Sequence, residues 1–334
     1  MAVGAGAHHY VVAPQWALNL QGTSPDVPAV GVNSRDEVHV LTRSLHPVLV
    51  FDRRGRFLRS WGEGVFHVTH GLHIGPDDCV YVVDLDHTVR KFSPTGELLL
   101  QLGVSGHPSE TGYRGGDYRT ISTGGPPFNE PTGVAVSPSN EIYVSDGYGN
   151  ASVHRFSEHG ELIGSWGGPG RGPGQFRTPH GIFVDRRGTV YVADRENDRI
   201  QRFSAGGEFV GEWTGCRRPD AVFVTRDDVA FVAEMGYVAG IVPGMSLPTP
   251  QSLSSRVTLR DLSGRVVASL GADDGAVKAP CAPGNLFAAH GLWVDMQGSL
   301  YVGEVIAASG RREINDGLGW VPPACHAFQV FHRA

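Results

Sequence analysis

The chain has 334 residues, a net charge of −6, 40% hydrophobic and 19% charged residues, and 46 glycines and 22 prolines. The acidic balance argues against a broad nucleic-acid surface, no apolar run approaches the roughly 18 residues of a membrane-spanning helix, and the glycine and proline content points to a turn-rich fold with a large core. The start, MAVGAGAHHYVVAPQW, has no basic region followed by an apolar stretch, and the four cysteines (Cys79, Cys216, Cys281, Cys325) form no CxxC pair, so a cytoplasmic protein with free thiols is expected.

In chain order, QWALNL (15–20) comes first and reads as a strand without neighbours. From residue 28 a unit recurs six times, over approximately 28–62, 69–103, 128–167, 176–213, 217–271 and 287–332. Its clearest signal is a second strand: VHVLT, VYVVD, IYVSD, VYVAD, AFVAE and LYVGE. Each is preceded by an apolar stretch and a short polar turn such as GPDDC or DRRGT. A third strand follows, as in SVHRFS and RIQRFS, then a tight turn such as SPTGE, then a fourth strand such as LIGSWG or FVGEWT. Short β-branched and aromatic runs broken by Gly, Pro and Asp are antiparallel strands. Four strands per unit and six units predict an all-β fold over 1–334, a six-bladed β-propeller. The sixth unit lacks a fourth strand. Segment 15–20 is predicted to supply it and to close the ring, which removes exposed sheet edges.

Strand direction alternates within a blade. The strand one–two and three–four turns share one face, and all are short. The insertions at 104–127, 235–256, 272–287 and 305–326 fall on the opposite face, where loops on a rigid scaffold carry function. Met235, Tyr237, Arg311, Arg312 and Trp320 in these loops are candidate substrate contacts.

Ten residues before each second strand, at the start of strand one, the six units carry Pro28, His70, Thr132, His180, Asp220 and His290. Three histidines in alternate blades of a six-fold ring lie about 120° apart around one axis. Three imidazoles with an open fourth position suit catalytic Zn²⁺, with Fe²⁺ the lesser option. Asp220 shares the ring and is a candidate base or ligand-supporting group. Arg43 and Tyr148 follow second strands and point to the same mouth. Positive charge beside a tyrosine favours its phenolate, so Tyr148 is a candidate base. Arg43 is a candidate clamp for a substrate carboxylate.

The units resemble NHL repeats, most closely in PHGIFVDRRGTVYVADRENDRIQRFSAGGEFVGEW (179–213). That resemblance implies a structural role for Asp84, Asp146 and Asp194. The phrases THGL, PHGI and AHGL, the strand end LTR, and DGYGNASVHRFSEHG together resemble the catalytic core of peptidyl-α-hydroxyglycine α-amidating lyase. The resemblance implies zinc on His70, His180 and His290, with Arg43 and Tyr148 as the catalytic pair. The implied reaction is cleavage of an α-hydroxyglycine-like carbinolamide to an amide and an α-oxo acid such as glyoxylate. The partner would be a small molecule carrying a carboxylate, not nucleic acid or a membrane. Two departures stand out. Gly149 replaces the cysteine after the family tyrosine, and Gly291 stands where the family has an Asp that helps hold calcium, which argues against a structural Ca²⁺. The open alternatives are a metallohydrolase of an ester, lactone or amide using zinc-bound hydroxide with Asp220 as base, and a non-enzymatic NHL interaction domain.

Overall fold

The structure, a computed structural model, describes residues 2–5, 8–13, 16, 26–237, 253–271, 282–306 and 327–334. Five four-stranded antiparallel sheets and one five-stranded sheet are arranged as propeller blades. Blade one comprises Ala29–Val32, Val38–Leu41, Val48–Phe51 and Phe57–Trp61; blade four comprises Pro179–Val184, Val190–Asp194, Arg199–Phe203 and Phe209–Trp213. Each inner strand packs on that of the next blade, and the inner strand Ala289–Val294 returns to Ala29–Val32, so the ring is closed. No helix among the described residues is long and apolar enough to cross a membrane.

The core lies between blades. Val80, Val82, Val190, Val192, Val232 and Val302 of the second strands are fully buried. Fourth strands are two-faced and form the rim, with Leu98, Leu162, Ile163 and Val210 exposed. This burial gradient from axis to rim is why second strands read as continuous β-branched runs while fourth strands mix apolar and polar residues.

The last blade is completed by the N-terminus, but not by 15–20. His8–Val12 pairs with Phe328–Arg333 and supplies the fourth strand, and Ala2–Ala5 adds a fifth. The burial of His8–Val12 alternates, with Tyr10 and Val12 turned inward. Of 15–20 only Trp16 is described. It is buried between blades six and one, with its ring 5.8 to 5.9 Å from those of Phe51, Tyr301 and Phe328. An indole belongs in that position because a rim strand would leave much of it in water. Cys79 and Cys216 are buried free thiols, while Cys281 and Cys325 lie outside the described residues.

The carboxylate ending each second strand of blades two to six is buried and ties two elements together. Asp84 accepts from the Val68 N–H (2.8 Å) and Arg90 (3.1 Å), and Asp194 from the Arg177 N–H (2.8 Å) and Arg199 (2.8 Å). Glu304 accepts from the Ala288 N–H (2.9 Å) and Gln329 (3.0 Å). Asp146 and Glu234 make the same link, through Asn129 and His154 and through Arg217 and Arg256. Each link joins the third strand to the chain two or three residues before the ring position. These carboxylates therefore set where the inner strand begins.

Candidate active site

The inner strands of blades two to six each break register with the second strand at the ring position, between Thr69 and Gly71, Pro131 and Gly133, Pro179 and Ile182, Pro219 and Ala221, and Ala289 and Gly291. A bulge leaves one residue without a cross-strand partner and re-aims its side chain. His70, His180 and His290 are three of those residues, and all line the central channel. Their ring centroids are 4.7 to 5.0 Å apart, and one nitrogen from each lies within 4.8 Å of the others.

The three rings are oriented by one repeated device. His70 donates its Nδ1–H to the Thr132 carbonyl (2.7 Å), His180 to the Asp220 carbonyl (2.9 Å) and His290 to the Pro28 carbonyl (2.8 Å). Each acceptor belongs to the ring residue of the next blade. Donation from Nδ1 fixes the tautomer and leaves the Nε2 lone pair free as a ligand. The glycine after each histidine permits the contact. A Cβ on Gly181 would lie 2.4 Å from the Asp220 carbonyl oxygen, and one on Gly291 2.4 Å from that of Pro28. Burial pushes the His290 imidazole down to about 3, aided by the Arg43 charge, and holds His70 and His180 well below the usual histidine range. Three neutral imidazoles whose unprotonated Nε2 atoms face the axis fit a transition-metal ion such as Zn²⁺.

Tyr148 is brought to the same point. Its hydroxyl donates to His70 Nε2 at 2.9 Å and lies 3.3 Å from His180 Nε2. The arginine that meets it is Arg195, not Arg43: Arg195 Nη1 is 3.5 Å from the Tyr148 hydroxyl, and its guanidinium sits 5.3 Å from the ring centroid. Arg195 is buried and also pairs with Glu196 (2.9 Å), which in turn pairs with Arg218 (2.8 Å). Burial disfavours the Arg195 cation, but Tyr148, Glu196 and Asp220 outweigh it and raise its pKa. Arg43 donates to the Thr69 carbonyl (3.2 Å) and pairs with Asp26 (3.4 Å). It sits beside the residue preceding His70, and its charge disfavours protonation of His70 and His290.

Arg195 was within reach of sequence reasoning. It follows the second strand of blade four as Arg43 follows that of blade one, so the two guanidinium groups share a register in opposite blades. Asp220 is fully buried, and its Oδ1 lies 3.4 Å from His180 Nδ1 and 3.5 Å from Arg195 Nη1. Neither carboxylate oxygen completes a hydrogen bond among the described residues. Burial pushes its pKa up to about 7 against the pull of Arg195 and Arg218. The carboxylate is on the Nδ1 side of His180, behind the ligand rather than facing the converging Nε2 atoms.

Below the tripod the channel is lined by a layer of rings. Phe183 and Phe223 are 4.7 Å apart, Phe223 and Trp293 5.1 Å, and Trp293 and His73 5.3 Å. Above it, the loop at 104–127 reaches the Tyr148 side, where Tyr113 donates to Glu130 (3.2 Å) and the Glu130 carbonyl accepts the Tyr148 N–H (3.3 Å). Met235 is buried, with its Sδ 3.5 Å from Arg218, and Tyr237 hydrogen-bonds Asp198. Arg311, Arg312 and Trp320 lie outside the described residues.

Comparison with known proteins agrees with the propeller fold. The NHL repeat model matches residues 128–156 and 176–203, within blades three and four. The streptogramin B lyase structure superposes with a TM-score of 0.55 at 12% identity, covering 84% of this chain and 77% of that one; this likeness is of fold alone. By sequence, the chain is similar to mouse peptidyl-glycine alpha-amidating monooxygenase, 39% identical over 163 residues. It is also similar to peptidyl-alpha-hydroxyglycine alpha-amidating lyase 1 of Drosophila melanogaster, 34% identical over 162 residues. The matches cover 46% and 44% of this chain, but only 15% of the mouse protein and 27% of the fly lyase. Human NHL repeat-containing protein 3 is 32% identical over 163 residues, 46% of this chain and 44% of that protein. The chain is thus a six-bladed propeller with NHL repeats matched in blades three and four, and it resembles the amidating lyases over about half of its length.

Proposed function

We propose that this protein is a metal-dependent lyase acting on an N-acyl-α-hydroxyglycine-like carbinolamide, with zinc as the metal held by His70, His180 and His290. The reading rests on one observation above all: the Tyr148 hydroxyl contacts two ligand nitrogens and the Arg195 guanidinium at once. When bound, the metal would supply Lewis-acid stabilisation of developing negative charge on oxygen. Tyr148 takes the proton of the substrate hydroxyl. The hydroxyl oxygen then forms the carbonyl of an α-oxo acid, the C–N bond breaks with its electron pair going to nitrogen, and that nitrogen gains a proton to leave as an amide. Atoms balance without water or a redox partner. Arg195, with Nη1 3.5 Å from the Tyr148 hydroxyl and its guanidinium against the ring, holds that oxygen in place beside the ligand nitrogens. Arg43, across the mouth, is suited to orient the substrate carboxylate. The aromatic layer below the tripod limits access to the mouth side, where substrate enters and both products leave.

The alternative use of the tripod, hydrolysis with Asp220 as base, is less favoured because that carboxylate sits behind His180 and against Arg195. Product analysis separates the two. Metal-loaded protein incubated with an N-acyl-α-hydroxyglycine is expected to yield amide and glyoxylate in equal amounts. Tyr148→Phe should lower kcat by about 100-fold or more with metal content unchanged. Release of the N-acyl group as a free carboxylic acid, or full turnover by Tyr148→Phe, would count against the lyase reading.

A further inference from the structure

We propose that Asp220 is a positioning residue of the metal site, backing His180 with negative charge and tying that one ligand to Arg195. The inference rests on reading the histidine tripod as a metal centre. The three ligands are equivalent in their backbone support, since each gives its Nδ1–H to a carbonyl of the next blade. They are not equivalent in the side chain attached to that carbonyl. Behind His70 stands Thr132 and behind His290 stands Pro28, both uncharged. Behind His180 stands Asp220, with Oδ1 3.4 Å from the same Nδ1 and 3.5 Å from Arg195 Nη1.

The cost of this arrangement points to a use. Both carboxylate oxygens are buried, and neither completes a hydrogen bond among the described residues. An under-satisfied buried carboxylate destabilises a fold that contains no compensating charge. Arg195 and, farther off, Arg218 compensate it on one side, and a metal ion beyond the His180 ring would do so on the other. An anionic partner behind an imidazole raises its basicity as a ligand, and loss of such a partner typically weakens metal binding about 10- to 100-fold. Asp220 also joins the ligand set to the Arg195–Tyr148 contact, so one carboxylate couples metal binding to the orientation of the proposed base.

The experiment needs no substrate. Zn²⁺ affinity of wild type and Asp220→Asn is measured by competition with a chromogenic chelator, and thermal unfolding of both is recorded without metal. Asp220→Asn keeps the shape and removes the charge. The expected result is Zn²⁺ affinity weaker by about 10-fold or more, with the metal-free variant melting no lower than metal-free wild type. Asp220→Ala should show the same pattern, which guards against one variant misfolding. Affinity within twofold of wild type overturns the role. A metal-free variant that melts well below wild type also overturns it, because Asp220 would then be a structural group. Wild type that takes up no Zn²⁺ overturns the metal reading itself, and this role with it.

Discussion

At the scale of single residues, burial decides the behaviour of the channel. His73 lies in the aromatic layer, and burial pushes its imidazole down to about 4. As pH falls below 6.5 the unfolded chain takes up this proton while the folded chain refuses it until about pH 4. The stability His73 contributes is therefore complete above pH 6.5 and is lost between 6.5 and 4. The full shift corresponds to roughly 3 kcal/mol. His73→Phe should accordingly lose less melting temperature than wild type between pH 7 and pH 4. An equal loss in both proteins would mean that His73 takes up its proton in the fold at its ordinary pH. Asp194, raised to about 6 by burial, works in the opposite sense but is common to both proteins and cancels in the comparison. The candidate residues were unevenly legible at this scale. The histidines stood out because one residue type recurred at one register. Arg195 did not, because its register was obscured by the longer match around VADRENDRIQRF, and it is its burial and its 3.5 Å approach to Tyr148 that distinguish it from a surface arginine.

At the scale of elements, the phrase His-Gly has a physical reason that spacing alone did not disclose. The histidine is a bulged residue, and the glycine lets the next blade bring up the carbonyl that orients the ring. Gly181→Ala would put a Cβ 2.4 Å from the Asp220 carbonyl oxygen. We expect a loss of roughly 1–3 kcal/mol in urea unfolding, together with weaker metal binding, since the displaced carbonyl is the one that holds His180. Gly164→Ala, on a fourth strand with no atom within 4 Å of the new Cβ, should change stability by no more than about 0.5 kcal/mol. Equal effects at both positions would argue that close inner-strand approach is unimportant. The closing strand shows where pattern reading failed. QWALNL has the apolar weight of an outer strand, but rim strands here are two-faced. HHYVV meets that requirement by alternation, while Trp16 fills a gap between blades.

At the scale of the whole molecule, the site exists only because the ring closes. The ligands come from blades two, four and six, and each is oriented by a carbonyl from the following blade, with the last contact running from His290 back to Pro28. The fold was readable because six copies of one strand pattern leave few other architectures. The mouth was readable only in outline, since insertion positions indicate a face but not which side chains reach the axis. Closure and tripod therefore stand together, and elemental analysis of the purified protein tests both. Wild type should carry one divalent transition-metal ion per chain, and His70→Ala, His180→Ala and His290→Ala should each lose it while keeping the β-sheet circular dichroism of the parent. Metal retained in all three variants, or none bound by wild type after incubation with Zn²⁺, would contradict the account.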